Sequence, residues 1–287
     1  MKKQIVFSGA CLFLATALLA YSSWAWFVSA RDVKATGITL DVMAPNNIQI
    51  SLTGGDDDAQ WAEELSINTS DILAAQIADF NASKAVYVLP ASTYGGFDGT
   101  VFATSRAKNN GEAYEDTVFY NGHALRYTAQ SDSYEGHYID IPLYFRTRDV
   151  NGASLYLEKN HNEKKTAISS LDDSDIYKIA RVAFLNEEKT GNALGSTLPL
   201  VYAEEDRQTA SVVTAQTAGF AVPEYITFGT DGFSNQCVVQ IPGREDGSAK
   251  PKIQKAVLRI WIEGQDRSCT SVMGNKKFSV SFVFTAK

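Results

Sequence analysis

Three histidines, His123, His137 and His161, are the side chains best suited to proton transfer or zinc ligation in this chain. Their spacing argues against both. A helical zinc-protease site needs two histidines one turn apart with a glutamate between them, so that both ligands share a face, and no HExxH occurs. Asp140 follows His137 by three residues, which in a strand puts the two side chains on opposite faces. The histidines are therefore expected at the surface or in structural roles. No Gly-x-Ser-x-Gly elbow, P-loop or dinucleotide fingerprint is present, and Cys237 has no histidine near it in sequence. A secreted hydrolase is the weakest of the functional classes considered, and no metal or other cofactor is expected.

Other groups have simpler readings beside a chemical one. Asp56-Asp57-Asp58 offers hard oxygens to calcium, but three consecutive acids lack the alternating spacing of an EF-hand loop, and a solvated loop is the better expectation. Trp61, Tyr87, Tyr94, Phe97 and Tyr114 could line a carbohydrate platform, although large aromatics more often anchor cores and loops. Asn68-Thr69-Ser70 and Asn81-Ala82-Ser83 match the glycosylation sequon. Cys237 and Cys269 form an even pair beyond the amino-terminal segment, which permits a disulfide in an exported protein; two separate thiols, one in a buried strand, are the alternative.

The elements that hold these residues are strands. From Gly37 onward apolar and polar residues alternate, the period of a half-buried strand, most plainly in Phe278, Val280, Phe282 and Phe284. Similar runs predict strands at Ile38 to Val42, Ile48 to Leu52, Val86 to Leu89, Tyr138 to Arg146, Ser154 to Leu157, Ile179 to Leu185, Leu198 to Tyr202 and Val257 to Ile262. Turn clusters such as Asn46-Asn47, Asn151-Gly152 and Pro242-Gly243 separate them. Pro142 cannot donate to a ladder and so predicts an edge or a bulge. Ser70 is placed as the cap of a short helix from Asp71 to Ala78, with Leu73, Ile77 and Phe80 on one stripe. The expected fold is all-β: an antiparallel, jelly-roll-like sandwich over 31–287, with one or two short helices and a loop-rich insertion at about 54–133 whose tip is Tyr94 to Gly99.

The amino-terminal end points to export. Lys2 and Lys3 precede a stretch without charge from Gln4 to Ala30, and such a segment enters lipid while its positive end stays inside. Residues 1–30 are read as a signal peptide or, if retained, as a hydrophobic helix anchoring the chain. Ser23-Trp24-Ala25 and Val28-Ser29-Ala30 both resemble small-x-small cleavage sites, making Ala25 and Ala30 the candidate cleavage positions. The expected location is secreted or at the cell surface, with transient membrane contact and a signal peptidase as partner.

Charge narrows the partners further. The formal charge of -7 becomes -9 once Lys2 and Lys3 are subtracted with the signal. An acidic surface repels phosphate backbones and anionic lipid, so no nucleic-acid partner is expected. Hydrophobic content of 45% argues for a packed core rather than disorder.

Two segments resemble a known group. Trp24 to Gly37, with Ala25-Trp26-Phe27 ahead of a short polar stretch, is similar to the signals processed by SipW-type peptidases on exported Gram-positive proteins of the TasA and camelysin kind. Ala256 to Cys269, reading Ile260-Trp261-Ile262-Glu263-Gly264-Gln265-Asp266-Arg267-Ser268-Cys269, resembles the closing motif of clostridial-type exported proteins with the same signal, as does Tyr138 to Arg146. The resemblance implies a jelly-roll subunit of extracellular biofilm-matrix fibres. Camelysin-type proteins have also been classed as metallopeptidases, an activity not carried over to a chain without a zinc motif.

The leading expectation is thus a non-enzymatic structural protein of the cell surface or extracellular matrix, self-associating or joining related matrix subunits. Strand donation would serve assembly, with Ile38, Leu40 and Val42 as the inserted row; in an isolated monomer that strand is expected to pair within its own domain. A surface adhesin binding glycan or protein through the 54–133 loops is the alternative.

Overall fold

Alternation decides where strands form: Phe278, Val280, Phe282 and Phe284 are all buried within Lys276–Ala286, while Ser279 and Ser281 between them are not. The computed structural model describes residues 35–45, 47–93, 102–104, 118–120, 123–161, 164–189, 193–194, 200–204, 224–228, 235–244, 250–264, 266, 268–269 and 275–287. The expected amino-terminal helix, the cleavage positions Ala25 and Ala30, and the tip Tyr94 to Gly99 lie outside the described residues. Among the described residues no helix is long and apolar enough to cross a membrane.

In chain order the elements are β1 (Ala35–Met43), β2 (Ile48–Ser51), β3 (Glu64–Asn68), α1 (Thr69–Gln76), β4 (Ala85–Val88), β5 (Ser92–Thr93), β6 (Phe102–Thr104), β7 (Val118–Tyr120), β8 (Arg126–Thr128), β9 (Ser133–Gly136) and β10 (Tyr138–Thr147). The second half adds β11 (Ala153–Leu157), β12 (Asn160–His161), β13 (Lys164–Lys165), β14 (Ala167–Ser170), β15 (Ala180–Leu185), β16 (Leu200–Ala203), β17 (Glu224–Thr227), β18 (Cys237–Ile241), β19 (Ile253–Ile262) and β20 (Lys276–Ala286). Nine strands form one sheet, ordered β18-β11-β20-β1-β4-β9-β8, with β14 also on β20 and β3 also on β1. Six form the other large sheet, ordered β17-β16-β15-β19-β10-β2, while β5-β6-β7 and β12-β13 make two small ones.

The two large sheets face each other across one apolar core. Phe184 of β15 meets Phe282 and Phe284 of β20 at ring-centroid distances of 5.0 and 5.8 Å, and Phe145 of β10 meets Phe284 at 5.6 Å. Edge-to-face aromatic contacts of this kind add to the burial of each ring, which itself contributes about 1.5–3 kcal/mol. The all-β sandwich is therefore present.

Two expectations need correction. The sheets are mixed rather than antiparallel, since β1·β20, β4·β9 and β16·β17 run parallel. Strands that meet after the chain has crossed elsewhere need not follow hairpin polarity. Next, the six-stranded sheet is buried on both faces: every residue of β15 is buried, and Tyr138, Ala183, Leu185, Val201, Val257 and Trp261 form a second apolar cluster with Ala91. That explains why Ala256 to Ile262 reads as a continuous apolar run broken only by Arg259. Within about 54–133 the described residues supply β3, β4 and β8 to the nine-stranded sheet, with α1 following β3. Leu65 and Ile67 alternate within β3, but a five-residue strand with both only half-buried gives a faint pattern.

The helix begins earlier than expected. Asn68, not Ser70, is the cap: its side chain accepts from the Asp71 amide, while the Asp71 carboxylate accepts from the Asn68 amide. Ile72 and Leu73 face the core, and Ile77 and Phe80 pack on it beyond the helix end.

Candidate functional site

The strand nominated as donor, β1, lies in the middle of its own sheet. It pairs in parallel with β20 from Ala35 to Met43, placing Ile38 opposite Phe278, Leu40 opposite Val280 and Val42 opposite Phe282. Its other side pairs antiparallel with β3 from Thr39 to Met43 and touches β4 at Ala35. Ile38, Leu40 and Val42 are all buried, so the inserted row is filled by the chain itself.

A gap in that ladder is closed by a hydroxyl. Between the β4 contact at Ala35 and the start of β3, the Ile38 amide donates to Thr69 Oγ1 at 2.8 Å, and the same hydroxyl donates to the Ile38 carbonyl at 2.8 Å. Thr166 repeats the device on β20 where its neighbour changes from β14 to β11. There the Val283 amide donates to Thr166 Oγ1 at 3.0 Å, and the hydroxyl donates to the Glu158 carbonyl at 2.6 Å. A threonine offers donor and acceptor on one atom, so each satisfies main-chain groups that a missing strand would leave bare.

Pro142 marks an edge, as expected. Carbonyls of Tyr138 and Asp140 on the same strand side accept from the Leu125 amide and from Gln76 Nε2 rather than from β19. Alternation puts residue 142 on that side as well, and β2 reaches β10 only from Tyr144 onward. The proline thus withholds no bond from the β10·β19 ladder.

The closing motif resembles a structural knot more than a reactive one. Asp266 Oδ1 accepts from the Ser268 amide at 2.9 Å, and Asp266 Oδ2 binds Arg181 Nη2 at 2.5 Å, with both side chains buried. Arg181 also donates to the carbonyls of Lys178 and Ala180. Gly264 lets Ala91 approach: the Gly264 amide donates to Ala91, the Ala91 amide donates to Ile262, and a Cβ on Gly264 would lie 3.1 Å from the Pro90 side chain. Arg259 makes the second buried pair, bidentate to Asp140 at 2.7 and 2.8 Å and stacked over Tyr138. Arginines inside a two-sided sheet require such partners.

The three aspartates are occupied by protein groups. Asp56 pairs with Lys250, whose hydrogen bond, and then its charge, lowers the carboxyl's pKa; Asp57 caps the turn Asp58–Gln60; Asp58 pairs with Arg146, which stacks 4.3 Å over the Trp61 ring. Trp61 is consequently buried, and Tyr87 half-buried, so neither offers an open platform; Tyr94, Phe97 and Tyr114 lie outside the described residues. Cys237 and Cys269 are not bonded to each other: Cys237 is a half-buried thiol in β18, its pKa raised by burial, and Cys269 is buried after the turn at Asp266. Among the described residues no group of three or more His, Cys, Asp or Glu could hold a metal ion.

One pairing went unforeseen in the sequence. His123 and His137 meet edge to face with ring centroids 4.8 Å apart, and the His123 amide donates to His137 Nδ1 at 3.2 Å. Burial, followed by the nearby His123, lowers the His137 pKa to about 4.

Comparison with protein-family profiles, curated proteins and solved structures finds no match to this chain.

Proposed function

We propose that this chain is an exported structural protein of the cell surface or extracellular matrix, a TasA-like subunit that self-associates into fibres by β-strand addition. The observation that carries the reading is the place of β1. This first strand after the uncharged segment has eight register partners on β20 and presents Ile38, Leu40 and Val42 to the core. Only residues 44–47 separate it from β2. The same strand from a second copy offers identical main-chain bonds and an identical side-chain row, so exchange needs no new interface. Repeated crossing of the chain between the sheets, as in β10 to β11, β14 to β15 and β18 to β19, supports a jelly-roll arrangement. Residues 1–30 would deliver the protein through transient membrane contact and a signal peptidase, and related matrix subunits would be its other partners.

Cross-linking tests this reading. Thr39 and Ser279 are register partners on β1 and β20, away from the buried row. In a Thr39→Cys, Ser279→Cys variant lacking the two native thiols, oxidation should give intrachain links in dilute monomer and covalent multimers in fibres grown at high concentration. Fibres whose oxidised subunits still run as monomers would exclude strand exchange. Failure to form assemblies at any concentration, or recovery of the native protein from the cytosol, would exclude the functional reading itself.

A further inference from the structure

The edge strand β8 pairs with β9 and belongs to an arm, residues 123–128, that leans on the start of β10. Three hydrogen bonds secure it. The His137 amide donates to the His123 carbonyl at 2.9 Å, the Leu125 amide donates to the Tyr138 carbonyl at 3.2 Å, and the His123 amide donates to His137 Nδ1 at 3.2 Å. Gly136 lets the arm lie close, since a Cβ there would come within 2.6 Å of the Leu125 nitrogen. A backbone N–H can only donate, so the neutral His137 ring must carry its proton on Nε2 and leave Nδ1 bare.

We propose that the His123–His137 contact is an acid-released latch: a solvent proton taken up at His137 Nδ1 removes the acceptor that holds the His123 amide and frees the 123–128 arm from the start of β10. Protonation sets one donor against another and adds charge beside groups of the same sign. Burial disfavours the charged ring first, and the charges of His123 and Arg126, both basic, add to that. His123 Nδ1 faces the Ala124 carbonyl and donates to it, so that nitrogen is not an acceptor for the added proton. On the other flank, Leu89 donates its amide to Gly136, and Leu89, Pro90 and Ala91 bring no titratable side chain. Glu135, two residues back in β9, lies opposite Arg126 and accepts from Ser133.

The direction follows from linkage. In the closed arm His137 titrates at about 4, against 6.5 for an unperturbed ring. The closed state is therefore favoured above pH 6.5 and loses its advantage as pH falls from there toward 4. Between pH 7.5 and pH 5 the opening equilibrium should rise on the order of tenfold.

Amide hydrogen exchange on the full chain, corrected for the intrinsic rate at each pH, reads this out. The amides of His123, Leu125 and His137 should lose on the order of tenfold protection at pH 5 while those of β19 and β20 keep theirs. In His137→Gln the acid-dependent loss should vanish. As a check independent of that variant's folding, the wild-type His137 ring should titrate by NMR well below 6.5. A ring pKa at or above that value, an equal loss in His137→Gln, or a uniform loss extending through β19 and β20 would each overturn the latch.

Discussion

Thr69 shows how much a single hydroxyl carries. It is the first residue of α1, yet its Oγ1 serves both main-chain groups of Ile38 at a point where β1 has no strand on the side away from β20. Thr69→Val keeps the shape and removes the partner, leaving a buried N–H and C=O bare; the expected loss is about 1–3 kcal/mol in urea unfolding, with faster exchange of the Ile38 amide. Asp266 is a second such residue. Asp266→Ala strips the buried Arg181 of its carboxylate and should cost about 3–5 kcal/mol, seen as a lower denaturation midpoint. Replacing both by leucine should recover part of that loss, because no unpaired charge remains. Neither role shows in the sequence: a threonine beside a helix start and an aspartate in a loop look like many others until their partners 31 and 85 residues away are known.

Elements differ in how openly they declare themselves. β20 and β10 were legible because each runs over ten or more residues, long enough for a period-two pattern to show within it. β3, β9 and β14, of four or five residues each, gave weaker patterns and draw their order from the long strands they join. The helix start was misplaced by two residues because three hydroxyl or amide side chains stand in a row, and only geometry shows that Asn68 and Asp71 cap each other. Pro142 belongs to this scale, since its effect is on the open side of β10. Pro142→Val restores an edge N–H at a strand position already suited to pairing, and should leave unfolding stability within about 0.5 kcal/mol while raising self-association in sedimentation velocity. Unchanged sedimentation would show that this edge is guarded by something other than proline.

At the scale of the molecule, strand exchange and local order compete for the same bonds. β1 is held by β20, by β3 and by the Thr69 hydroxyl, so its release must break a central ladder rather than peel an edge. Assembly by this route should therefore be slow and accelerated by mild destabilisation: Thr69→Val, which loosens β1 without touching its buried row, should shorten the lag of fibre growth measured by light scattering. A longer lag in that variant would argue that β1 stays home.

The sequence alone determined that the described chain is β-built, which residues of its long strands face inward, and that no familiar catalytic motif is spelled out. Period-two patterning and missing spacings are local properties, and local properties are what a sequence displays. Only the tertiary structure decided that β1 runs parallel to β20, that one sheet is buried on both faces, that Arg181 and Arg259 find acids deep inside it, and that two distant histidines touch. Each of these depends on which segments the packing of the whole core brings side by side, and nothing within a short window of residues encodes that choice.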